Sequence, residues 1–401
     1  MHLRKLPLAL AVGAAVAAPL AHGQDAQRVE IYGKLYPYLE QESGSGQSAV
    51  GTPAATLAPA ATGVKGVPTI KGMSTGNSYL GIRGKEDMGG GLKAEYQIEG
   101  VVALDNPGAA AFSWNRNNFV GLVGRFGEVR LGFMDTVFKE YGDTLGILGI
   151  SSGTPVSSSN ILRKISFGTN NAARFHERRA NSVRYDSPEV GGVQAAVQVA
   201  TQENGTATLK TATTQSFGLK YDDGPIYASL AYEIHSNFFG GSINSLAAQR
   251  NNAVAGATSK DQALQAAVEW RINKSHTLEF DVINKQYAED ATANGRFEKY
   301  KNTAYMLAYD GRWGQWRTMA HIVKSGAGSC TLRNAACSTT GLEGSQVTAG
   351  AGYYLSRRTF IYGVFSQITN GTSARFSAAD FGAPSPGEDV RHILAGISHS
   401  F

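Results

Sequence analysis

The chain has 401 residues, among them 48 Gly, 17 Tyr and 17 Phe. Its 37 basic and 32 acidic side chains give a formal charge of +5, which is too mild to indicate a nucleic-acid partner. After residue 23 the sequence contains no apolar run long enough to cross a bilayer as a helix.

The N-terminus predicts an export signal. Basic residues at positions 4 and 5 precede an apolar run over 6–20, and the sequence AHG at 21–23 offers a small-x-small cleavage site. A single transmembrane anchor is the alternative, but the run is short and prolines interrupt it. We expect residues 1–23 to be a signal peptide and the mature chain to start near Gln24. Removing Arg4 and Lys5 leaves 35 basic and 32 acidic side chains, a charge of +3.

From residue 29 onward, apolar residues alternate with polar or small residues in segments of about ten. In the first segment, Ile31 and Leu39 fall in one phase, while Tyr32 and Lys34 fall in the other. The pattern predicts sixteen strands, over 29–40, 77–86, 91–101, 117–125, 128–135, 178–187, 193–201, 215–222, 226–235, 262–272, 276–287, 300–310, 315–324, 344–355, 359–369 and 390–401.

The predicted connections alternate strictly between short and long. The short ones, rich in Gly, Pro, Asp and Asn, cover 87–90, 126–127, 188–192, 223–225, 273–275, 311–314 and 356–358. The long ones cover 41–76, 102–116, 135–177, 202–214, 236–261, 288–299, 325–343 and 370–389. This asymmetry predicts an all-β fold: a sixteen-stranded antiparallel transmembrane β-barrel with short periplasmic turns and long external loops. A soluble β-sandwich also has alternating strands, but it does not explain the loop asymmetry.

One long connection, 135–177, differs from the others. It carries Leu145, Ile147, Ile161, Ile165 and Phe167, which is too much apolar surface for a solvated loop. It therefore requires a surface to pack against.

The two cysteines, Cys330 and Cys337, lie seven positions apart in a polar loop. A metal site needs further Cys or His ligands nearby, and the sequence has none there. For an exported chain we expect a local disulfide, with two free thiols as the alternative.

Five segments of the sequence point to one family. They read VEIYGKL, SYLGIRGKEDMGGGLKAEYQIE, NNFVGLVGRFGEVRLG, RRANSVRYDSPEVGGVQ and the terminal GISHSF. With these segments the chain resembles, over essentially its whole length, the general porins of Gram-negative β-proteobacteria of the neisserial and burkholderial type. The resemblance implies a homotrimer in the outer membrane whose third long loop, here 136–177, folds inward and narrows the pore. The chain departs from the usual LGRQ at the end of the fifth strand, where Phe133 and Met134 stand.

A pore of this kind needs a defined field at a narrow place, and rings of Arg or Lys favour anions. Strand phase places several basic side chains on the lumen side, and the inserted loop offers acidic ones opposite to them. The predicted pore-lining residues are Lys34, Arg83, Lys85, Lys93, Arg130, Glu140, Asp143, Arg178 and Arg184. We expect a weak anion preference. The alternative for each basic residue is a solvated charge or a salt bridge to Glu95, Glu99 or Glu128.

The sequence therefore predicts a general diffusion porin for small hydrophilic solutes and ions, with outer-membrane lipid and lipopolysaccharide as its surroundings. It predicts no enzyme, no cofactor and no metal, because no Ser-His-acid order, ligand spacing or phosphate-cradling loop stands out. A substrate-specific channel for small anions such as organic acids is the main alternative. A structural adhesin and a barrel hydrolase are the others.

Overall fold

A computed structural model describes residues 28–106, 111–142, 145–147, 154–206, 210–378 and 382–401. The predicted signal peptide and Asp143 lie outside the described residues. Among those it describes, no helix combines the length and apolar character needed to cross a bilayer. The strands are β1 (Arg28–Leu35), β2 (Tyr38–Ser45), β3 (Ile70–Ser74), β4 (Tyr79–Gly89), β5 (Leu92–Val102), β6 (Phe112–Ser113), β7 (Asn118–Gly124), β8 (Gly127–Asp135), β9 (Arg178–Asp186), β10 (Val193–Thr201), β11 (Thr213–Asp223), β12 (Ile226–Ser236), β13 (Ser259–Asn273), β14 (His276–Glu289), β15 (Phe297–Trp313), β16 (Trp316–Ser325), β17 (Ser329–Leu332), β18 (Gly344–Tyr354), β19 (Thr359–Asn370) and β20 (Asp389–Ser400).

These segments form a closed antiparallel barrel of sixteen wall strands. Consecutive strands pair along the chain, and β1 and β2 both pair with β20, which closes the sheet. The wall has fewer strands than segments because β1 with β2, β3 with β4, β6 with β7, and β16 with β17 each form one interrupted strand. The prediction of a sixteen-stranded antiparallel barrel is confirmed. A closed barrel leaves no unpaired edge in lipid, where no water can satisfy the backbone.

The breaks inside the first two wall strands have local causes. Pro37, between β1 and β2, has no N–H to donate to the ladder, although its carbonyl still accepts from Ile397 N at 3.3 Å. Between β3 and β4, Gly76 and Asn77 both take φ of 68°, a left-handed conformation that interrupts a strand. The predicted first loop, 41–76, is therefore too long, because β2 continues to Ser45 and β3 begins at Ile70.

The other differences from the sequence prediction are also extensions of strands into predicted loops. Strand β6 lies within the predicted loop 102–116, β17 lies within 325–343, and β13 and β15 both begin earlier than expected. The long loops at one rim are loop 1 (46–69), loop 2 (103–117), loop 3 (136–177), loop 4 (202–212), loop 5 (237–258), loop 6 (290–296), loop 7 (326–343) and loop 8 (371–388). The short turns all lie at the opposite rim, so the predicted alternation of loop lengths is confirmed.

The outward phase of the strands is apolar and exposed. In β1 and β2, Ile31 and Leu39 are 64% and 66% exposed, while Tyr36 and Tyr38 are buried on the inside. Large aromatic side chains cluster at the strand ends beside the short turns, as expected for an aromatic belt at a membrane interface. They are Phe126, Trp270, Trp313, Trp316 and Phe401, all of them exposed.

Candidate functional site: the lumen and its inserted loop

Loop 3 lies inside the barrel, where its first helix, α1 (Val137–Gly142), packs on β11, β12 and β13. Tyr227 Oη and Ser229 Oγ, both buried, donate to the carbonyl of Tyr141 at 2.7 and 2.6 Å. Gly218 allows this close approach, because a Cβ at that position would stand 2.6 Å from side-chain atoms of Tyr141 and Val137. The polar inner face of the wall thus satisfies the loop backbone.

The middle of loop 3 reaches the opposite side of the lumen. Ile147 and Val156 belong to a buried cluster that also contains Tyr36 of the first wall strand and Tyr362 of β19. Pro155 O accepts from Gln346 Nε2 of β18 at 3.1 Å and from Ser366 Oγ of β19 at 2.9 Å. The apolar residues that the sequence could not place in water are therefore packed on the inner wall.

The second half of loop 3 returns along β14, β15 and β16. Its short helix α2 (Ser159–Leu162) lies against β15 and β16. The buried ammonium of Lys285 donates to the carbonyls of Ile161, Leu162 and Lys164 at 3.4, 3.0 and 2.6 Å. Tyr287 Oη donates to Ala173 O at 2.6 Å.

Arg163 connects the two halves of the loop to the wall. Its Nη2 donates to Gly142 O at 2.8 Å, its Nε donates to Gln265 Oε1 at 3.0 Å, and Asp281 Oδ2 lies 3.9 Å away. The guanidinium is completely buried. In the part of loop 3 that the structure describes, the loop is therefore a lining that runs along the inner wall from β9 to β19 and leaves β1, β4, β5, β7 and most of β8 uncovered.

Three of the predicted pore residues meet at the start of loop 3. Arg184 binds both oxygens of Asp186, at 2.7 and 2.8 Å, and contacts Glu140 of α1. Arg130 reaches the same Asp186 carboxylate at 2.9 Å. Burial raises the pKa of the neighbouring Tyr141 hydroxyl, and nearby Asp186 adds to this effect. Glu140 thus faces the basic strands, but Arg184 is buried beneath it.

Arg178 lies in a separate group of charged side chains around Asp135, at the end of β8. Its Nε is 3.1 Å from Asp135 Oδ1, and Lys139 Nζ contacts the same oxygen at 2.6 Å. Burial lowers the pKa of Lys139, while the charge of Asp135 opposes that shift. This group fixes the chain where β8 enters loop 3.

The uncovered wall carries alternating basic and acidic side chains. Arg83 pairs with Glu30 at 3.0 Å, and Lys85 pairs with Glu95 at 3.0 Å. These four residues line one cavity together with Arg130 and Glu128, which also contact each other. Two of the carboxylates that the sequence offers as alternative partners, Glu95 and Glu128, are thus engaged here.

The other two predicted basic residues, Lys34 and Lys93, lie elsewhere on the wall. Lys34 is half-buried, with its Nζ 5.3 Å from the ring centre of Tyr36. Lys93 is exposed at the start of β5, beside a short turn.

In loop 7, the structure joins Cys330 and Cys337 in a disulfide with Cα atoms 5.7 Å apart.

Arg116 is a lumen residue that sequence reasoning missed. Strand phase puts it with Val120 and Leu122 on the outward face, and the sequence assigns it to a loop. In the structure it contacts Glu99 and lies 4.4 Å from the ring centre of Tyr79. Although burial disfavours its charge, Glu99 holds the pKa of Arg116 above the usual value. No period-2 signal identifies it, because the backbone leaves the strand before β7 begins.

Comparison with known proteins identifies the family. The family model described as Gram-negative porin matches residues 9–373. The chain is a Gram-negative porin. The porin is 29% identical over 338 residues to outer membrane porin protein 32 of Delftia acidovorans, with 81% of this chain and 84% of the relative covered. It is 30% identical over 298 residues to major outer membrane protein P.IB of Neisseria meningitidis serogroup B, with 73% and 77% covered.

A solved structure described as an anion-selective porin from Comamonas acidovorans has the same fold. Its TM-score is 0.67 at 21% identity, and the match covers 94% of this chain and 100% of that chain. The resemblance to β-proteobacterial porins found in the sequence is confirmed. The porin is an outer-membrane diffusion channel.

Proposed function

We propose that this porin passes small hydrophilic solutes and ions by passive diffusion with a weak preference for anions, and that loop 3 (136–177) forms its constriction. The observation that carries the proposal is the difference in exposure within an ion pair of the uncovered wall. The Lys85 side chain is 61% exposed, whereas that of its partner Glu95 is 8% exposed. A solute in the lumen therefore meets the ammonium before the carboxylate.

The preference is weak because most lumen cations are paired. Arg83 and Glu30 are 50% and 45% exposed, so this pair presents both signs almost equally. A solute near such pairs experiences mainly the local dipole of each pair, and the exposed ammonium of Lys85 adds a small positive potential. The proposal assigns pore-lining roles to Arg116 and to the predicted set except Arg184, whose buried guanidinium instead holds Glu140 in position.

The test is the reversal potential of the reconstituted channel under a KCl gradient. Arg83→Ala leaves Glu30 without its partner, and a unit charge about 5–10 Å from an ion in water contributes about 0.4–0.8 kcal/mol. Each permeability then changes about two- to four-fold in opposite directions, so the ratio of chloride to potassium permeability is expected to fall about four- to fifteen-fold, and less at high salt. Lys274→Ala, in the exposed turn between β13 and β14, is the matched control. A wild-type channel that prefers cations would overturn the proposal.

We also propose a homotrimer whose subunits meet at the barrel seam. Ile31 of β1, Leu39 of β2 and Ile393 of β20 are exposed on the outward face, and the small residue Ala395 lies opposite Leu39 across the seam. Ala395→Trp is expected to convert trimers to monomers in semi-native electrophoresis. Ala266→Trp, on the outward face of β13, should leave trimers intact; equal effects would argue against this interface.

The remaining proposals concern processing and surroundings. We propose that residues 1–23 are removed on export. The mass of the N-terminal peptide of the outer-membrane protein tests this proposal, and the expected first residue lies near Gln24. We propose contact with outer-membrane lipid and lipopolysaccharide at the loop rim, measured as lipopolysaccharide retained by the purified channel. Diffusion requires no cofactor and no catalytic step. An assay for lipase activity would reveal a catalytic step if the barrel performed one.

A substrate-specific channel for small organic anions remains the second candidate. The observation that favours it is that three basic residues, Lys164, Arg174 and Arg375, line one cavity between loop 3 and loop 8. General diffusion gives flux proportional to solute concentration, whereas a specific channel saturates.

A further inference from the structure

Loop 1 (46–69) is bonded near its middle to two other loops of the same rim. Thr56 N donates to Ser338 O of loop 7 at 2.8 Å, and Ser338 N donates back to Thr56 Oγ1 at 2.8 Å. The Thr56 carbonyl accepts from Gln249 Nε2 of loop 5 at 2.9 Å. We call the part of loop 1 that reaches these loops, residues 53–62, the loop 1 bridge.

The loop 1 bridge joins loops that leave opposite sides of the barrel. Loop 1 follows the first wall strand, whereas loop 5 follows β12, the ninth of the sixteen. Sixteen tilted strands about 4.8 Å apart enclose a barrel about 30 Å wide. The eleven residues from Ser45 to Thr56 reach at most about 40 Å when extended. Loops 1 and 5 together therefore span the mouth from one side to the other.

Apolar packing holds the loop 1 bridge against the loops beneath it. The Leu57 side chain is completely buried. It belongs to the buried cluster that also contains Ile165 and Phe167 of loop 3 and Leu342 of loop 7. The tip of loop 1 is thus packed into the same apolar cluster as the second half of loop 3.

Loop 8 fixes loop 1 on both sides of this tip. Before the tip, Ala55 N donates to Ser373 Oγ at 2.8 Å. After it, the amides of Gly66 and Val67 donate to the carboxylate of Glu388 at 2.7 and 3.1 Å. The bridge is therefore a built part of the loop-side mouth. Among the described residues, the opposite rim carries only short turns.

We propose that the loop 1 bridge is a size filter at the outer entrance, which excludes bulky hydrophilic solutes before they reach loop 3. A solute from outside meets the bridge first, whereas a solute from the turn side meets loop 3 first. The size limit for entering the pore is then smaller from the loop side than from the turn side. The inference deepens the proposed function and rests on it, because the filter serves a diffusion channel.

The experiment uses the full channel in planar bilayers, with polyethylene glycols of graded mass added to one chamber at a time. A polymer that enters the pore lowers the conductance, whereas an excluded polymer does not. The smallest excluded polymer is expected to be smaller on the loop side than on the turn side. Biotinylated Lys274→Cys assigns the orientation, because streptavidin reaches this exposed turn only from the turn-side chamber.

Leu57→Asp detaches the loop 1 bridge. The substitution places a carboxylate in a completely buried apolar site, where an unpaired charge is strongly disfavoured. The loop-side size limit should then rise to the turn-side limit, which should stay unchanged. Val50→Asp adds the same charge to the same loop at a side chain that is 76% exposed, and it should preserve the difference between the two sides.

A second variant removes the bridge without adding charge. Replacing residues 53–62 by Gly-Gly should raise the loop-side limit as Leu57→Asp does, and it decides the question if Leu57→Asp does not fold. Heat-modifiable electrophoretic migration reports folding. Equal limits from both sides in the wild type, or a loop-side limit unchanged in the shortened channel, would overturn the inference. A rise of both limits would place the effect in loop 3 and also overturn it. The KCl reversal potential of the same channels tests the proposed anion preference separately.

Discussion

Lys285→Met tests whether the wall holds loop 3 in place. The wild-type ammonium is buried and satisfies three loop carbonyls, two of them at 3.0 Å or less. Removing it leaves those two carbonyls without their charged partner, at about 1–3 kcal/mol each. A buried Met returns about 1.5–2 kcal/mol of apolar burial. The wild-type ammonium must also lose water when the loop docks.

The substitution therefore weakens the docking free energy of loop 3 by about 2 kcal/mol net. This corresponds to about a thirty-fold rise in the population of channels with a detached loop 3. Tryptic cleavage after Arg163 measures this population, because the Arg163 side chain is completely buried when the loop is docked. When opening and closing are fast, the cleavage rate follows the open fraction. Cleavage of Lys285→Met in proteoliposomes should thus be about thirty-fold faster than in the wild type.

Single-channel recordings provide an independent measure of the same event. Detachment of loop 3 is expected to add brief states of higher conductance in Lys285→Met. Lys274→Met makes the same chemical change in an exposed turn and should alter neither readout. Cleavage rates within two-fold of the wild type, with unchanged conductance states, would refute the role assigned to the Lys285 ammonium.

Three further changes probe the loops. The buried carboxylate of Glu388 accepts hydrogen bonds from three backbone amides, two of them in loop 1. Glu388→Gln weakens these bonds, so hydrogen exchange at the two loop 1 amides should quicken about ten-fold or more. Exchange in β17 should stay constant. Replacing Cys330 and Cys337 by Ser removes a tie worth about 2–3 kcal/mol for so short a loop, so proteolysis of loop 7 should increase; a lower melting temperature of the barrel would contradict a purely local tie. Gly218→Ala places a Cβ against α1 and should raise conductance, whereas Gly363→Ala, whose added Cβ meets only a carbonyl 3.8 Å away, should have no effect.

The barrel itself could be predicted from the sequence, because a two-residue period reports directly which side of a strand meets lipid. Ile31 and Leu39 on the outside, with Tyr36 on the inside, follow from that period alone. The interruption at Pro37 was not predicted, because the alternation continues through 29–40, although proline lacks a ladder donor. The continuation of β2 to Ser45 was not predicted, because the polar sequence after residue 40 has no apolar alternation to reveal the strand.

The lumen could be predicted only in part. Phase identified Arg83, Lys85 and Arg130 as inward residues, and the structure brings them to one stretch of wall. It could not show that Arg184 lies buried beneath Glu140, because that depends on where α1 docks. Arg116 escaped prediction for a similar reason: its side chain reaches Glu99 from irregular backbone, which has no phase.

The sequence by itself determined the class of fold, the number of wall strands and the rim that carries the long loops, since these follow from local periodicity and turn chemistry. The apolar content of 135–177 also showed that this segment must pack on something. Only the tertiary structure decided what it packs on. Lys285, Gln265 and Tyr227 lie 86 to 124 positions from the loop carbonyls they bind, and closure of the barrel alone brings them together.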